Sequence, residues 1–226
     1  MRSMLLLLLG VSLATGCHAK FKKEAPTLGS VRTQIVTSGV PYVSLGHMGN
    51  PVSDGNTNTT SAAEVLGALA ATAVNINQDI QGAKLAQRIA GAVQITSVNQ
   101  AFNQGVARTL GSGPPFAYSD DKSAPATLQI EVLSYGLNVP YIGAPGEFTY
   151  DLRVRIYKQN GDRVYRARHS CAVGAGTPGI AESVLGVVNN IQEVKEMTDA
   201  QINDSFAAMA DYCATTFVVK MRRHAG

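Results

Sequence analysis

Residues 147–173 read EFTYDLRVRIYKQNGDRVYRARHSCAV, and their pattern decides the architecture of the carboxyl-terminal half. Phe148, Tyr150, Leu152, Val154 and Ile156 alternate with Thr149, Asp151, Arg153 and Arg155, the period of a strand with one buried face. Asn160-Gly161 is a preferred hairpin turn because both positions tolerate positive φ, so a second strand over Arg163–Val173 is predicted. A two-residue loop sets Val154 opposite Ala167, Leu152 opposite His169 and Tyr150 opposite Cys171. Tyr165, Ala167, His169 and Cys171 then continue the inward face. The outward face sets Arg153 against Arg168 and Arg155 against Arg166.

Four guanidinium groups on one sheet face repel one another, by a few tenths of a kcal/mol or more per facing pair. An anionic partner would offset that cost, since arginine grips phosphate and carboxylate bidentately. Lipid phosphate or an acidic protein surface would serve. The other reading is a solvated face relieved by Asp151, Glu131 and Asp162. Arg153, Arg155, Arg166 and Arg168 are the candidate partner-binding residues. Tyr157 and Tyr135 are candidates to lie near them.

Upstream of the hairpin, Thr127–Tyr135 alternates as a third strand. Downstream, Thr198 and Gln201 form a capping box that opens a helix with Ile202, Phe206, Met209, Cys213 and Phe217 as its apolar stripe. Cys171 and Cys213 both point inward, and a helix packed on the sheet would bring them together. A Cys171–Cys213 disulfide is therefore predicted, with two buried thiols as the alternative. A helix over Ile180–Met197 is expected from valines at helical spacing, and Gly174–Gly179 is expected to be a connection.

In the amino-terminal half, Val31–Thr37 and Tyr42–Leu45 read as a strand pair turned at Ser38-Gly39-Val40-Pro41. Gly46–Thr60 reads as a loop. Ser61 and Glu64 form another capping box, followed by Leu66, Leu69, Ala73, Ile76 and Ile80 and, less strictly, Leu85, Ile89 and Val93. Ser97 or Asn99 is the expected cap of a further helix ending at Leu110. The order implies an α+β fold, an antiparallel sheet with helices packed on one face in two layers.

The first sixteen residues, MRSMLLLLLGVSLATG, carry an early cation, a leucine run and small residues, as secretory signals do. They end in Leu13-Ala14-Thr15-Gly16-Cys17, which resembles the lipobox of bacterial lipoproteins. The resemblance implies cleavage before Cys17, its acylation (palmitate among the chains), and a mature protein held in a membrane. His18 in place of Asp implies the outer membrane, with the body facing the periplasm. Residues 17–30 are expected to be a lipidated tether, and 31–226 a single periplasmic domain. The body resembles small periplasmic envelope lipoproteins.

Chemistry is harder to find. The chain is 226 residues long with a net charge of +3, too weak a balance to imply nucleic-acid binding. Nucleophile elbows, zinc-protease signatures, phosphate loops and dinucleotide fingerprints do not occur in the sequence. The four histidines, 18, 47, 169 and 224, do not cluster, so neither a metal nor a cofactor is expected. Asp120-Asp121 reads as a loop turn. A non-enzymatic, lipid-anchored accessory or scaffold that binds another envelope component is the expected function. The alternative is an enzyme acting on an envelope polymer, with a site assembled from distant residues.

Overall fold

The computed structural model describes residues 19–45, 80–111, 113–139, 146–173 and 191–226. Five strands form one sheet in the order β2-β1-β3-β4-β5: β1 (Ser30–Leu45), β2 (Ala117–Tyr118), β3 (Ala126–Val139), β4 (Glu147–Lys158) and β5 (Arg163–Val173). Helical residues 19–24 (α1) lead into a short 3-10 turn, Ala25–Thr27, ahead of β1. Between β1 and β2 come α2 (residues 80–92) and α3 (Ile95–Leu110); α4 (Ile191–Glu196) and α5 (Asp199–Ala225) follow β5. Helices α3 and α5 pack on each other and on one face of the sheet, so the fold is α+β in two layers.

The hairpin register follows the sequence reading. Val154 pairs with Ala167, Leu152 with His169, Tyr150 with Cys171, Arg153 with Arg168 and Arg155 with Arg166. The loop itself differs. Gly161 alone has positive φ (+85°), and its N–H donates to the Lys158 carbonyl, while Lys158 N–H donates to Asp162 O. A three-residue loop of this kind adds a residue, and the bulge at Val164 restores the register beyond it.

The sheet is mixed, not antiparallel. β3–β4 and β4–β5 are antiparallel, but β1 runs parallel to both β2 and β3. Ser38–Pro41 is not a turn: the two short strands expected there are one strand with a bulge between Thr37 and Val40. Glycine makes this possible. A Cβ on Gly39 would stand 2.6 Å from the backbone of Leu133, and one on Gly136 would overlap the Tyr42 carbonyl. Without those methyl groups the chain continues straight on, and its return to β3 requires a helical crossover, which makes the pair parallel. The matching irregularity in β3 between Val132 and Ser134 turns Tyr135 inward, where it is buried, away from the arginine face near which it is a candidate to lie.

Residues 19–28 are not a free tether. Phe21 and Ala25 are wholly buried and Leu28 nearly so. The Phe21 ring lies 4.4 Å from that of Tyr165 and 6.3 Å from that of Phe116, and Lys158 pairs with Glu24. The lysines stay outside while the apolar positions of this segment close one end of the core.

Helix α5 begins at the Thr198–Gln201 capping box, and Ile202, Phe206, Met209, Cys213 and Phe217 are all buried, as expected. Leu85, Ile89 and Val93 are buried too, whereas Ile80 is exposed. Helix α3 starts earlier than expected: its N-cap is Gln94, not Ser97 or Asn99, and the Gln94 N–H donates to Asn203 Oδ1 of α5 at 2.8 Å. Tertiary packing thus supplies, for an orphan donor, the acceptor that a local cap would have given. Arg88 of α2 plays the complementary part at the far end of α4, donating to the carbonyls of Val194, Lys195 and Met197. The capping box at Ser61 and Glu64, the glycine-rich stretch 174–179 and most of the helix expected over 180–197 lie outside the described residues.

Gly105 lets α3 and α5 approach closely. A Cβ there would meet Ala214 Cβ at 2.7 Å and the Asp211 carbonyl oxygen at 2.8 Å. Gly-to-Ala in a helix interior ordinarily gains about 1 kcal/mol, but overpacking costs about 1–3 kcal/mol, and here the obstruction is partly backbone. Gly105→Ala is expected to lower stability by about 1 kcal/mol net, read as a lower urea midpoint at unchanged slope.

Candidate functional site

Two surfaces gather chemically useful side chains. The first is the sheet face away from α3 and α5, which no helix covers among the described residues. All four sequence-predicted arginines stand on it, because β4 and β5 alternate without interruption between residues 149 and 156 and between 165 and 172. Two carboxylates thread between them. Glu131 of β3 takes Arg153 at 3.1 Å and Arg155 at 3.2 Å. Asp151 takes Arg168 in a bidentate pair and a hydroxyl hydrogen bond from Ser170 at 3.1 Å. The Arg168 guanidinium holds the Asp151 carboxyl below the ordinary carboxylate range, and Ser170 adds to the effect against the opposing pull of burial. Asp162 is not part of this network; it stays in the hairpin loop, bonded by Asn160. Arg166 is exposed and makes no ion pair or hydrogen bond among the described residues. Two carboxylates against four guanidinium groups leave the face basic.

The opposite, helix-covered face holds the two cysteines. Cys171 and Cys213 lie within disulfide distance, their Cα atoms 6.0 Å apart, so β5 and α5 meet where the register and the helical stripe both require. His169 also points inward, 3.1 Å from Thr216 Oγ1, and burial pushes its imidazole pKa down, with Lys220 adding to the shift. His224 is 3.1 Å from the Tyr165 hydroxyl. The two histidines sit against separate partners, and no cluster of three metal-ligating side chains occurs among the described residues. Cys17, His18 and His47 lie outside those residues.

The second surface is a cleft of about 530 Å³ between β1, α3, β2 and the loop after β2. Asn99 and Asn103, one helical turn apart on α3, face Thr37 and Thr33 of β1. Thr37 donates to Asn99 Oδ1 at 3.0 Å, and Thr33 donates to Asn103 Oδ1. The Tyr118 hydroxyl stands 3.2 Å from the same Asn103 oxygen and bonds to Asp120. Burial raises the Tyr118 phenol pKa, and the hydrogen bond to Asp120 raises it further. Asp121 turns back on its own loop and accepts from Ser123 N–H at 2.8 Å, the turn expected of that residue.

The sequence matches no known protein family, and no curated protein is similar to it. Function must therefore be read from these two surfaces. The arginine face was legible from alternation alone. The cleft was not, because its walls come from residues 32–35, 99–103 and 118–122, which no local period connects. A row of Asn and Gln on α3 was the only available signal.

Proposed function

We propose that this chain is a lipid-anchored accessory or scaffold of the bacterial envelope, held at the outer membrane through acylated Cys17. Its partner is an anionic envelope component, a protein surface or lipid headgroups, bound through the open sheet face around Arg153, Arg155, Arg166 and Arg168. The surplus of guanidinium groups on a face that no described helix covers carries this reading. Carboxylate or phosphate groups would remove the repulsion that Glu131 and Asp151 only half relieve.

The packing of α1 sharpens the anchor. Phe21 is buried only four positions after Cys17, a span of at most about 14 Å of extended chain. An acylated Cys17 would hold the body against the headgroups instead of trailing it on a leash. Lys20, Lys22 and Lys23 are exposed in that segment and suit an anionic lipid surface. A cysteine pair at disulfide distance fits export to an oxidising compartment.

Two measurements test the reading. Mass spectrometry of the mature amino terminus should show cleavage before Cys17 and acyl chains on it; an unmodified Cys17 rejects the anchor. For the face, the double variant Arg155→Ser/Arg166→Ser leaves the Arg153–Glu131 and Arg168–Asp151 pairs in place. Retention of crosslinked envelope partners, and of phosphatidylglycerol vesicles, should fall about tenfold or more, the loss expected when two charge-assisted contacts go. Retention equal to the parent protein rejects the face as the binding surface.

A further inference from the structure

The end of the body that α1 closes is the end nearest Cys17 along the chain. The described residues begin at Ala19, two positions and at most about 7 Å of chain after Cys17. Three segments far apart in sequence meet there. The Phe21 ring lies 4.4 Å from that of Tyr165 on β5, and the Lys20 ammonium donates to the Arg163 carbonyl at 3.3 Å. The Tyr165 hydroxyl stands 3.1 Å from His224 Nδ1, near the end of α5. A Cβ on Gly226 would come within 3.3 Å of the Lys22 side chain, so α1 is wedged between the start of β5 and the end of α5.

Each of the three turns cations outward. Phe21, Ala25 and Leu28 bury one stripe of the first segment, which leaves Lys20, Lys22 and Lys23 exposed. Arg163 is exposed at the start of β5, and Lys220 and Arg223 are exposed on α5, about one turn apart. Apart from the Lys20 bond, these six side chains make no hydrogen bond or ion pair among the described residues. Of the carboxylates nearby, Glu24 is spent on Lys158 and Asp162 stays in its loop with Asn160. Asp120 and Asp121 follow β2, at the sheet edge opposite β5. The far end, where β4 and α5 begin, is different: Glu147, Glu196, Asp199 and Asp204 stand there with Lys84, Arg88 and Lys195. The body is polarised along its strands, basic at the end nearest Cys17.

Cations spread over three elements match a layer of phosphates better than a single small anion. We propose that this composite basic end docks on anionic phospholipid headgroups, so that the body stands on the bilayer with the β4–β5 hairpin loop downward. Each cation held near such a surface strengthens the association about fivefold. The inference deepens the anchoring reading, on which its direction rests. Lipid on Cys17 brings this end to the bilayer, and the six cations fix how the body stands there.

Amine labelling of the protein as purified from membranes, read lysine by lysine by mass spectrometry, tests it. The protein is placed in phosphatidylcholine vesicles with and without phosphatidylglycerol. Phosphatidylglycerol should slow labelling of Lys20, Lys22 and Lys23 about tenfold or more, and leave Lys84 at the far end unchanged. Salt at about 1 M, where charges are screened beyond about 3 Å, should abolish the difference. The double variant Arg163→Gln/Arg223→Gln keeps the three reporter lysines and removes two exposed, unpartnered cations. It should lower the docking equilibrium about thirtyfold at unchanged melting temperature. Equal labelling in the two lipids overturns the proposal. So does an equal loss of protection in Arg155→Ser/Arg166→Ser, which would make the sheet face the membrane surface. A Cys17 found without acyl chains rejects the anchor alone. Docking then shows as flotation with phosphatidylglycerol vesicles and not with phosphatidylcholine, and a protein that floats with neither overturns both.

Discussion

Replacing Cys171 and Cys213 together by Ala should lower the stability of the oxidised protein by about 4 kcal/mol. The pair spans 42 residues, and a crosslink across such a span removes about that much conformational freedom, as free energy, from the unfolded chain. Such a bridge would also join the last strand of the sheet to the middle of α5, two elements separated in sequence by residues 174–198. Chemical denaturation with and without dithiothreitol is the measurement. The reductant should shift the parent midpoint down to that of the double variant and leave the variant where it is. A parent protein indifferent to reductant would show that the two sulfurs remain thiols despite their proximity.

Phe206→Ala should cost about 4 kcal/mol, in the range found when a fully buried aromatic ring is cut back to a methyl group. Phe206 is wholly buried on α5, and its ring meets three others: Phe148 at 5.1 Å, Tyr135 at 5.5 Å and Tyr150 at 5.9 Å. All three contacts are close to perpendicular, the edge-to-face arrangement that aromatic quadrupoles favour. The same helix position takes a hydrogen bond from the Tyr150 hydroxyl to the Phe206 carbonyl at 3.2 Å. Tyr150→Phe keeps the ring and removes that bond, and should cost only about 1 kcal/mol. A urea series on the two variants separates packing from hydrogen bonding. Equal losses would mean that the buried hydroxyl, not the aromatic cluster, fastens α5 to the sheet.

Tyr135 shows why such a cluster escapes a reading of the sequence. Strict alternation from Leu128 would turn Tyr135 outward with Glu131. The bulge in β3 adds one step and rotates the ring into the core. A strand has period two, so a single inserted residue reverses every face beyond it. The same arithmetic operates between Thr37 and Val40, where Gly39 and Pro41 look like a turn and instead let one long strand bend. In isolation those residues favour reversal; in the fold, thirteen paired positions along β3 outweigh that preference. The charged segment from Lys20 to Glu24 misleads in another way. Its cations suggest a solvated linker, yet Phe21, Ala25 and Leu28 recur at helical spacing and are buried. That stripe is short, and only a partner surface, here Tyr165 and Phe116, gives it meaning.

The sequence by itself determined whatever depends on neighbours along the chain: the β4–β5 pairing, the arginine face, the start and apolar stripe of α5, and the inward aim of both partner cysteines. Each of these follows from a repeat of two or 3.6 residues, or from a turn and cap whose atoms lie within four positions of one another. Only the tertiary structure decided the parallel placement of β1, the docking of residues 19–28 and the cleft between β1 and α3. These join segments from 62 residues (Thr37 and Asn99) to 144 residues (Phe21 and Tyr165) apart in a protein of 226. Their stability comes from burial and from hydrogen bonds between such segments, quantities that no local period records.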